Sequence, residues 1–289
     1  MKITATIRID KSGSVSTKQF QELLSLAGRG SARPKALQAK YEIEDPNLKR
    51  LIAVARLCGL QIWSDHSRMC RDNEFRIWGD VTYDESDFQK CRYLHALPEC
   101  EFMDCTTDNA KPPRVHLDTC SDNLAEMNPG TRKQLFAGNL QIALASLDCN
   151  IVSDAFKKEW ETDDLRGGYF VDGFRCSGPN AKKINGKYWL FMPNKRIELS
   201  DQSSDLLREA TRLIGDKAVA EEICRTNERV VLSGASVEKQ QPFDVAQTVF
   251  VEDGEPKPGL LIGSHKFYDF CRRIGAAIEW QPVEISKKD

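Results

Sequence analysis

The chain has 289 residues, of which 40% are apolar and 29% charged, and its 41 lysines and arginines face 43 acids for a formal net charge of −2. That composition can build a globular core, and the length fits two domains. The charge balance argues against whole-chain attraction to nucleic acid or anionic lipid, and no apolar run reaches the length that a membrane helix needs.

Residues 2–9 alternate, with Ile3, Ala5, Ile7 and Ile9 on one side and lysine, threonine and arginine on the other, which predicts a half-buried strand. The start "MKITATIRID" lacks the apolar core of a secretion signal, so a cytoplasmic location is expected. "SGS" predicts a turn. Ser16 and Gln19 have the spacing of a capping box, opening a helix whose buried face is Phe20, Leu23, Leu24 and Ala27 and which Gly28 ends. "GRGSARPKALQ" reads as a flexible, basic loop. In "EIEDPNLKRLIAVARLCGLQIW", Asp45 is the expected N-cap, Pro46 fits the first helical position, and Leu48, Leu51, Ile52, Ala55 and Cys58 form a buried stripe ended by Gly59. "LQIW" then runs on as a strand.

"FRIWGDVTY" predicts a strand interrupted at Gly79, and "DESDFQKCRYLHAL" a short helix capped by Asp84 and followed by Pro98. Residues 104–134 are rich in turn formers and read as loop. "GGYFVDGF" and "GKYWLFMP" predict aromatic strands. "SDQSSDLLREATRLIGDKAVAEEIC" predicts a helix broken at "IGDK", and "ERVVLSG" and "QTVFVEDGEPKPGLLIG" predict further strands. The order shows no regular βαβ alternation, so the expected class is α+β, with mixed sheets and packed helices. The loop-rich stretch divides the chain into an N-terminal region, 1–125, and a C-terminal region, 126–289.

One device recurs. "NIVSDAFKKEW" (150–160) aligns with "LIGSHKFYDFC" (261–271), so that Ile151 meets Ile262, Ser153 meets Ser264, Phe156 meets Phe267 and Trp160 meets Cys271. Each copy predicts a strand, a serine cap and a helix with an aromatic at its third position. Tyr169 and Trp280 then stand at equal distance beyond the serines, in an apolar strand.

The ten cysteines are scattered, and in a reducing compartment they are expected as free thiols. Cys100 and Cys105 with His116 and Cys120 offer four zinc ligands by type, but the Cys-x-x-Cys spacing of a zinc knuckle is absent. Cys91 and His95 would touch if both lay on one helix. His66, His116 and His265 have no recognisable catalytic context. No phosphate loop, dinucleotide fingerprint or G-x-S-x-G elbow occurs. "EWETDDL" and "FVEDGE" read as a solvated face and a turn. The aromatics of "INGKYWLFMPNKR" could stack on bases, but a buried hairpin explains them more simply. No residue is therefore assigned a catalytic, cofactor-binding or metal-ligating role.

Four stretches taken together, "DPNLKRLIAVARLCG", "TYDESDFQKCRYLHALP", "NIVSDAFKKEWETDDLRGGYF" and "LLIGSHKFYDFCRRIGAAIEWQPVE", resemble the bacterial double-CXXCG-motif proteins. These are cytoplasmic proteins associated with toxin–immunity loci, and the Ser-x-x-Phe and Pro-Val ending is similar to other immunity families. Neither CXXCG is present: Cys100 and Cys105 stand near the first, and only Cys176 and Cys224 near the second. The resemblance implies a protein whose partner is another protein, such as a toxin domain; with both CXXCG motifs missing, no metal or cofactor is expected. Against a basic toxin cleft, the acidic stretches Glu159–Asp164 and Glu252–Glu255 are the expected contacts. An enzyme with a dispersed Cys/His/Asp site, and a phage-defence or nucleic-acid-associated component, stay open as alternatives.

Overall fold

The computed structural model describes residues 1–10, 17–26, 31–33, 36–57, 62–64, 75–100, 105–108, 114–119, 127–146, 149–201, 205–224, 230–252 and 255–287. The chain is of the α+β class, with helices packed on several sheets. It divides into two compact units, one of residues 1–87 with 203–229 and the other of 88–202 with 230–289. The division differs from the expected cut near residue 125. The strand Arg114–Asp118 pairs with Phe174–Ser177, which ties both sides of that cut into one sheet, and the helices of 205–224 join the core of the first unit.

In the smaller unit the strand Lys2–Asp10 lies at the centre of a five-stranded sheet, antiparallel to both Ala36–Glu42 and Phe75–Thr82. Ser31–Arg33 and Ile62–Ser64 form its edges. The expected loop around 28–38 is thus partly strand. Ile3, Ala5, Ile7 and Ile9 point into a core that includes Leu23, Leu48, Leu51, Ala210, Val219 and Ile223 from four helices. The helix Pro46–Leu57 starts as expected, with the Asp45 carboxylate accepting from Asn47 N at 2.8 Å. Leu48, Leu51, Ile52 and Ala55 are buried, while Cys58 and Gly59 lie outside the described residues. The cap at Ser16 and the stop at Gly28 also lie outside them. The strand Phe75–Thr82 runs through Gly79 without interruption. Gly79 is opposite Ala5, and a Cβ there would stand 2.1 Å from the Ile223 carbonyl oxygen, so glycine is what lets the helix Lys217–Cys224 approach the sheet.

The larger unit contains the recurring device, and the repeat is longer than the serine–helix alignment. In the first copy the strands run in the order Ile142–Ser146, Cys149–Ser153, Tyr188–Pro193, Gly168–Val171, all antiparallel. In the second they run Val245–Glu252, Glu255–Ser264, Tyr93–Pro98, Ile278–Pro282, again all antiparallel. The third strand follows the helix in the first copy but is supplied from far upstream in the second, so the copies are permuted. Registers agree: Ser153 pairs with Tyr188 and Ser264 with Tyr93. The sequences of the third strands then match as Lys187-Tyr188 to Pro193 and Arg92-Tyr93 to Pro98.

Both serines cap their helices, Asp154–Thr162 and His265–Arg273. Ser153 Oγ accepts from Phe156 N at 3.0 Å and Ser264 Oγ from Phe267 N at 3.3 Å. Each hydroxyl also donates to the residue that opens the preceding hairpin, Gln141 at 2.8 Å and Asp244 at 2.9 Å. A third serine, Ser233, caps Gly234–Gln240 in the same way. Ser153→Ala and Ser264→Ala should each lower stability by about 1 kcal/mol, read from urea unfolding midpoints. Unchanged midpoints in both variants would remove the caps from the account.

Phe156, Trp160, Phe267 and Cys271 are buried as expected. The strand aromatic differs by one residue. Phe170, not Tyr169, is the counterpart of Trp280, because Phe170 pairs with Phe191 and Trp280 with Ala96 at the same register. Tyr169 points outward and is 45% exposed. One shared core joins the helical sides of both copies: Phe156 meets Phe270 edge-on at 5.0 Å, and Trp160 meets Phe267 at 5.8 Å. The other face of each sheet has its own core. Leu135 of the helix Pro129–Ala137 covers one, and Val237 of Gly234–Gln240 the other. The glycine at 167 allows the close approach of the copies, since it has φ 99° and a Cβ there would lie 2.0 Å from Val245 O.

Candidate functional site

The alternation that buries Ile3, Ala5, Ile7 and Ile9 places Lys2, Thr4, Thr6 and Arg8 on the opposite face of the sheet. Register then aligns side chains from three strands. Trp78, Thr6 and Lys40 form the central row, flanked by Asp80, Thr4 and Glu42 on one side and by Arg76, Arg8 and Gln38 on the other.

Two ion pairs lace this face. Lys40 Nζ reaches across the central strand to Asp80 Oδ2 at 2.9 Å, and Lys2 meets Glu42 at 2.5 Å. All four side chains are more than half exposed, so each pair contributes only a few tenths of a kcal/mol and orients charge more than it stabilises. Trp78 is partly exposed and belongs to none of the four buried clusters. Thr6, its partner on the central strand, is 6% exposed. A flat strand surface thus presents one indole among arginines, ion pairs and hydroxyls. Its described side chains offer an indole for stacking together with hydroxyls and charges of both signs.

The residues singled out by sequence are dispersed. Cys100 is buried and donates to Gln134 Oε1 at 3.7 Å. Cys105 opens a strand in which its backbone pairs with that of Leu117, and His116 is exposed. Cys120 and His66 lie outside the described residues. Among the described residues no three His, Cys, Asp or Glu side chains are grouped to hold a metal.

The helix expected to carry Cys91 and His95 ends at Lys90, and His95 lies in the strand Tyr93–Pro98, so the two do not share a helix face. That strand completes the second copy's sheet, and this pairing overrides the helical reading. His265 Nε2 lies 2.6 Å from the Cys91 carbonyl oxygen, a structural tie at the helix start. Burial pushes the Cys176 thiol up to about 11 and the Cys271 thiol well above its ordinary value, so both are protonated at neutral pH.

The acidic stretch Glu159–Asp164 is partly committed within the fold. Arg273 pairs with Asp163 at 2.5 Å and approaches Glu159 at 4.0 Å, and Lys157 meets Glu161 at 3.5 Å. The aromatics of Tyr188–Pro193 are mostly buried, and Lys157 and Lys187 Nζ stand 3.9 and 3.8 Å from the ring centre of Trp189. Among the described residues no helix is long and apolar enough to cross a membrane. The chain matches no protein-family model, no curated protein and no solved structure.

Proposed function

We propose that this chain works by stoichiometric binding of another protein, captured on the Trp78 face of the smaller unit. The observation that carries the reading is the exposed sheet surface itself. It holds a tryptophan outside every buried cluster, set among Arg8, Arg76 and Lys40. Tryptophan and arginine dominate the energy of protein interfaces, and ordered ion pairs at the rim steer approach. The described charged side chains of this face are Lys2, Arg8, Lys40 and Arg76 against Glu42 and Asp80. The duplicated larger unit is read as a rigid scaffold, with no role in contact assigned to it.

Together with the resemblance to immunity-associated proteins, this makes a toxin domain the first partner to test. The chain is co-expressed with each adjacent open reading frame, as wild type and as Trp78→Ala, and affinity capture and growth are followed. One neighbour should bind and its toxicity should be relieved, and Trp78→Ala should weaken binding by at least about thirty-fold, as expected of a central anchor. Capture and protection that survive Trp78→Ala would move the contact off this face. Turnover of a substrate without any partner would favour the enzyme instead.

A further inference from the structure

The larger unit carries a reactive dipeptide that neither the Trp78 face nor the buried cores use. Asn185–Gly186 lies between the turn Ala181–Lys183 and the strand Tyr188–Pro193, and it is the only asparagine followed by glycine in the chain. The side-chain amide of an asparagine is open to attack by the backbone nitrogen of the next residue. That attack needs a next residue without a Cβ in the way, a nitrogen that no hydrogen bond holds, and a side chain that can move.

All three conditions are met. Both residues are exposed. Gly186 has φ 92°, and a Cβ built on it would have Tyr188 Cε2, at 3.9 Å, as its nearest neighbour. The chain is tied on either side, by Ile184 N donating to Ala181 O at 3.2 Å and by Asp154 N donating to Lys187 O at 2.9 Å. Between these ties, neither the two backbone N–H groups nor the Asn185 amide has a hydrogen-bond partner among the described residues. Lys182, Lys183 and Lys187 are exposed around the dipeptide, and their charge favours both the amide anion that attacks and the carboxylate that results. Asp172–Gly173 is the protected counterpart. Gly173 N donates to Val171 O at 2.9 Å, and the Asp172 carboxylate meets Arg175 at 2.8 Å and Lys187 at 3.4 Å. The hydrogen bond of Arg175 first, and then that of Lys187, hold this carboxyl below the usual carboxylate range, so it stays ionised and is a poor target for attack.

We infer that Asn185–Gly186 is a site of spontaneous modification, at which water converts the asparagine to a mixture of aspartate and isoaspartate. The Gly186 nitrogen bonds to Asn185 Cγ, the Cγ–Nδ2 bond breaks, and Nδ2 leaves as ammonia with the proton of the Gly186 amide. Water then opens the cyclic imide at either carbonyl. Opening at Cγ restores the main chain and leaves an aspartate. Opening at the backbone carbon leaves an isoaspartate, with a main chain one carbon longer. Either product sets a carboxylate among the three lysines, and neither needs an enzyme or a redox partner. The longer product also shifts a packing contact. Gly138, the left-handed cap of the helix Pro129–Ala137, lies against Asn185, so close that a Cβ there would stand 3.3 Å from the Asn185 carbonyl oxygen.

The test ages the full chain at mildly alkaline pH, folded and in guanidinium chloride, and follows it by peptide mass mapping and by methyl transfer from an isoaspartyl methyltransferase. The wild-type peptide that contains Asn185 should gain one mass unit and a methyl-accepting group, ahead of every other asparagine peptide, a readout that needs no variant to fold. Folding should slow the reaction at Asn185 by less than about five-fold, since no hydrogen bond has to open first. Folding should slow isoaspartate formation at Asp172 by at least about ten-fold, the size of one hydrogen bond. Asn185→Gln, which would have to close a larger ring, should remove both signals from this peptide. Slowing at Asn185 by more than about five-fold, or to the same degree as at Asp172, would show that the fold locks the dipeptide and would overturn the inference. So would a mass gain that appears first at another asparagine.

Discussion

Trp160→Ala will destabilise the larger unit by about 3–5 kcal/mol, the usual loss for removing a buried tryptophan. Trp160 is 4% exposed. Its ring lies 4.9 Å from Phe191 and 6.0 Å from Phe170 of its own copy, and 5.8 and 6.0 Å from Phe267 and Phe270 of the other. Alanine would leave a cavity walled by Phe170 and Phe191 on paired strands and by Phe267 and Phe270 on the helix His265–Arg273, so little collapse can fill it. The exposed neighbour Tyr169, changed to alanine, should stay within about 0.5 kcal/mol of wild type. A double-mutant cycle with Phe267→Ala sharpens the test. If the copies share one core, the two losses will couple by about 0.5–3 kcal/mol. Strict additivity in urea unfolding followed by circular dichroism would mean that the copies fold on separate cores.

That core was partly legible in the sequence because its signals are local. A serine cap must lie within three residues of the N–H that it receives, so Ser153 and Ser264 announce their helices without knowledge of the fold. Asp45 with Pro46 does the same. Asn128 with Pro129 carries the same signal: Asn128 Oδ1 accepts from Gly130 N at 2.8 Å and opens the helix Pro129–Ala137. The surrounding turn formers hid it. The strand Tyr93–Pro98 was illegible for a different reason. Its partners are Leu261–Ser264 and Ile278–Pro282, more than 160 residues away along the chain. Only the match of Arg92-Tyr93 and Pro98 to Lys187-Tyr188 and Pro193 could have pointed to it. The Trp78 face falls between these cases. Alternation shows that Lys2–Asp10 has a polar side, but Trp78 joins that side only through the pairing of Ala5 with Gly79, which no local pattern encodes.

The same alignment of copies supplies the second large effect, which concerns acid. His95 occupies the position that Leu190 holds in the first copy, each standing one residue beyond the partner of the cap-preceding residue, opposite Ile262 and Ile151 respectively. An imidazole has thus replaced an aliphatic side chain at a site 6% exposed, and its Nδ1 has no hydrogen-bond partner. Burial lowers the imidazole pKa from 6.5 to about 4, and the hydrogen bond with Gln281 only partly opposes it. The native state therefore keeps His95 neutral, whereas the unfolded chain takes up a proton below pH 6.5. More protons are bound in the unfolded state between these two values, so stability is complete above pH 6.5 and falls as the pH drops towards 4. The loss is on the order of 3 kcal/mol. Carboxylates with lowered pKa values, such as Asp87 and Asp172, give up their contribution at more acidic pH, as protons reach their own range. His95→Leu restores the residue of the other copy and removes an orphan polar atom, so it should cost little or even stabilise at pH 7. Urea unfolding at half-unit steps from pH 7.5 to 4.5 should then show a steep decline for the wild type and a shallow one for His95→Leu. Parallel declines in the two proteins would place the titrating group elsewhere and leave His95 as a packing residue only.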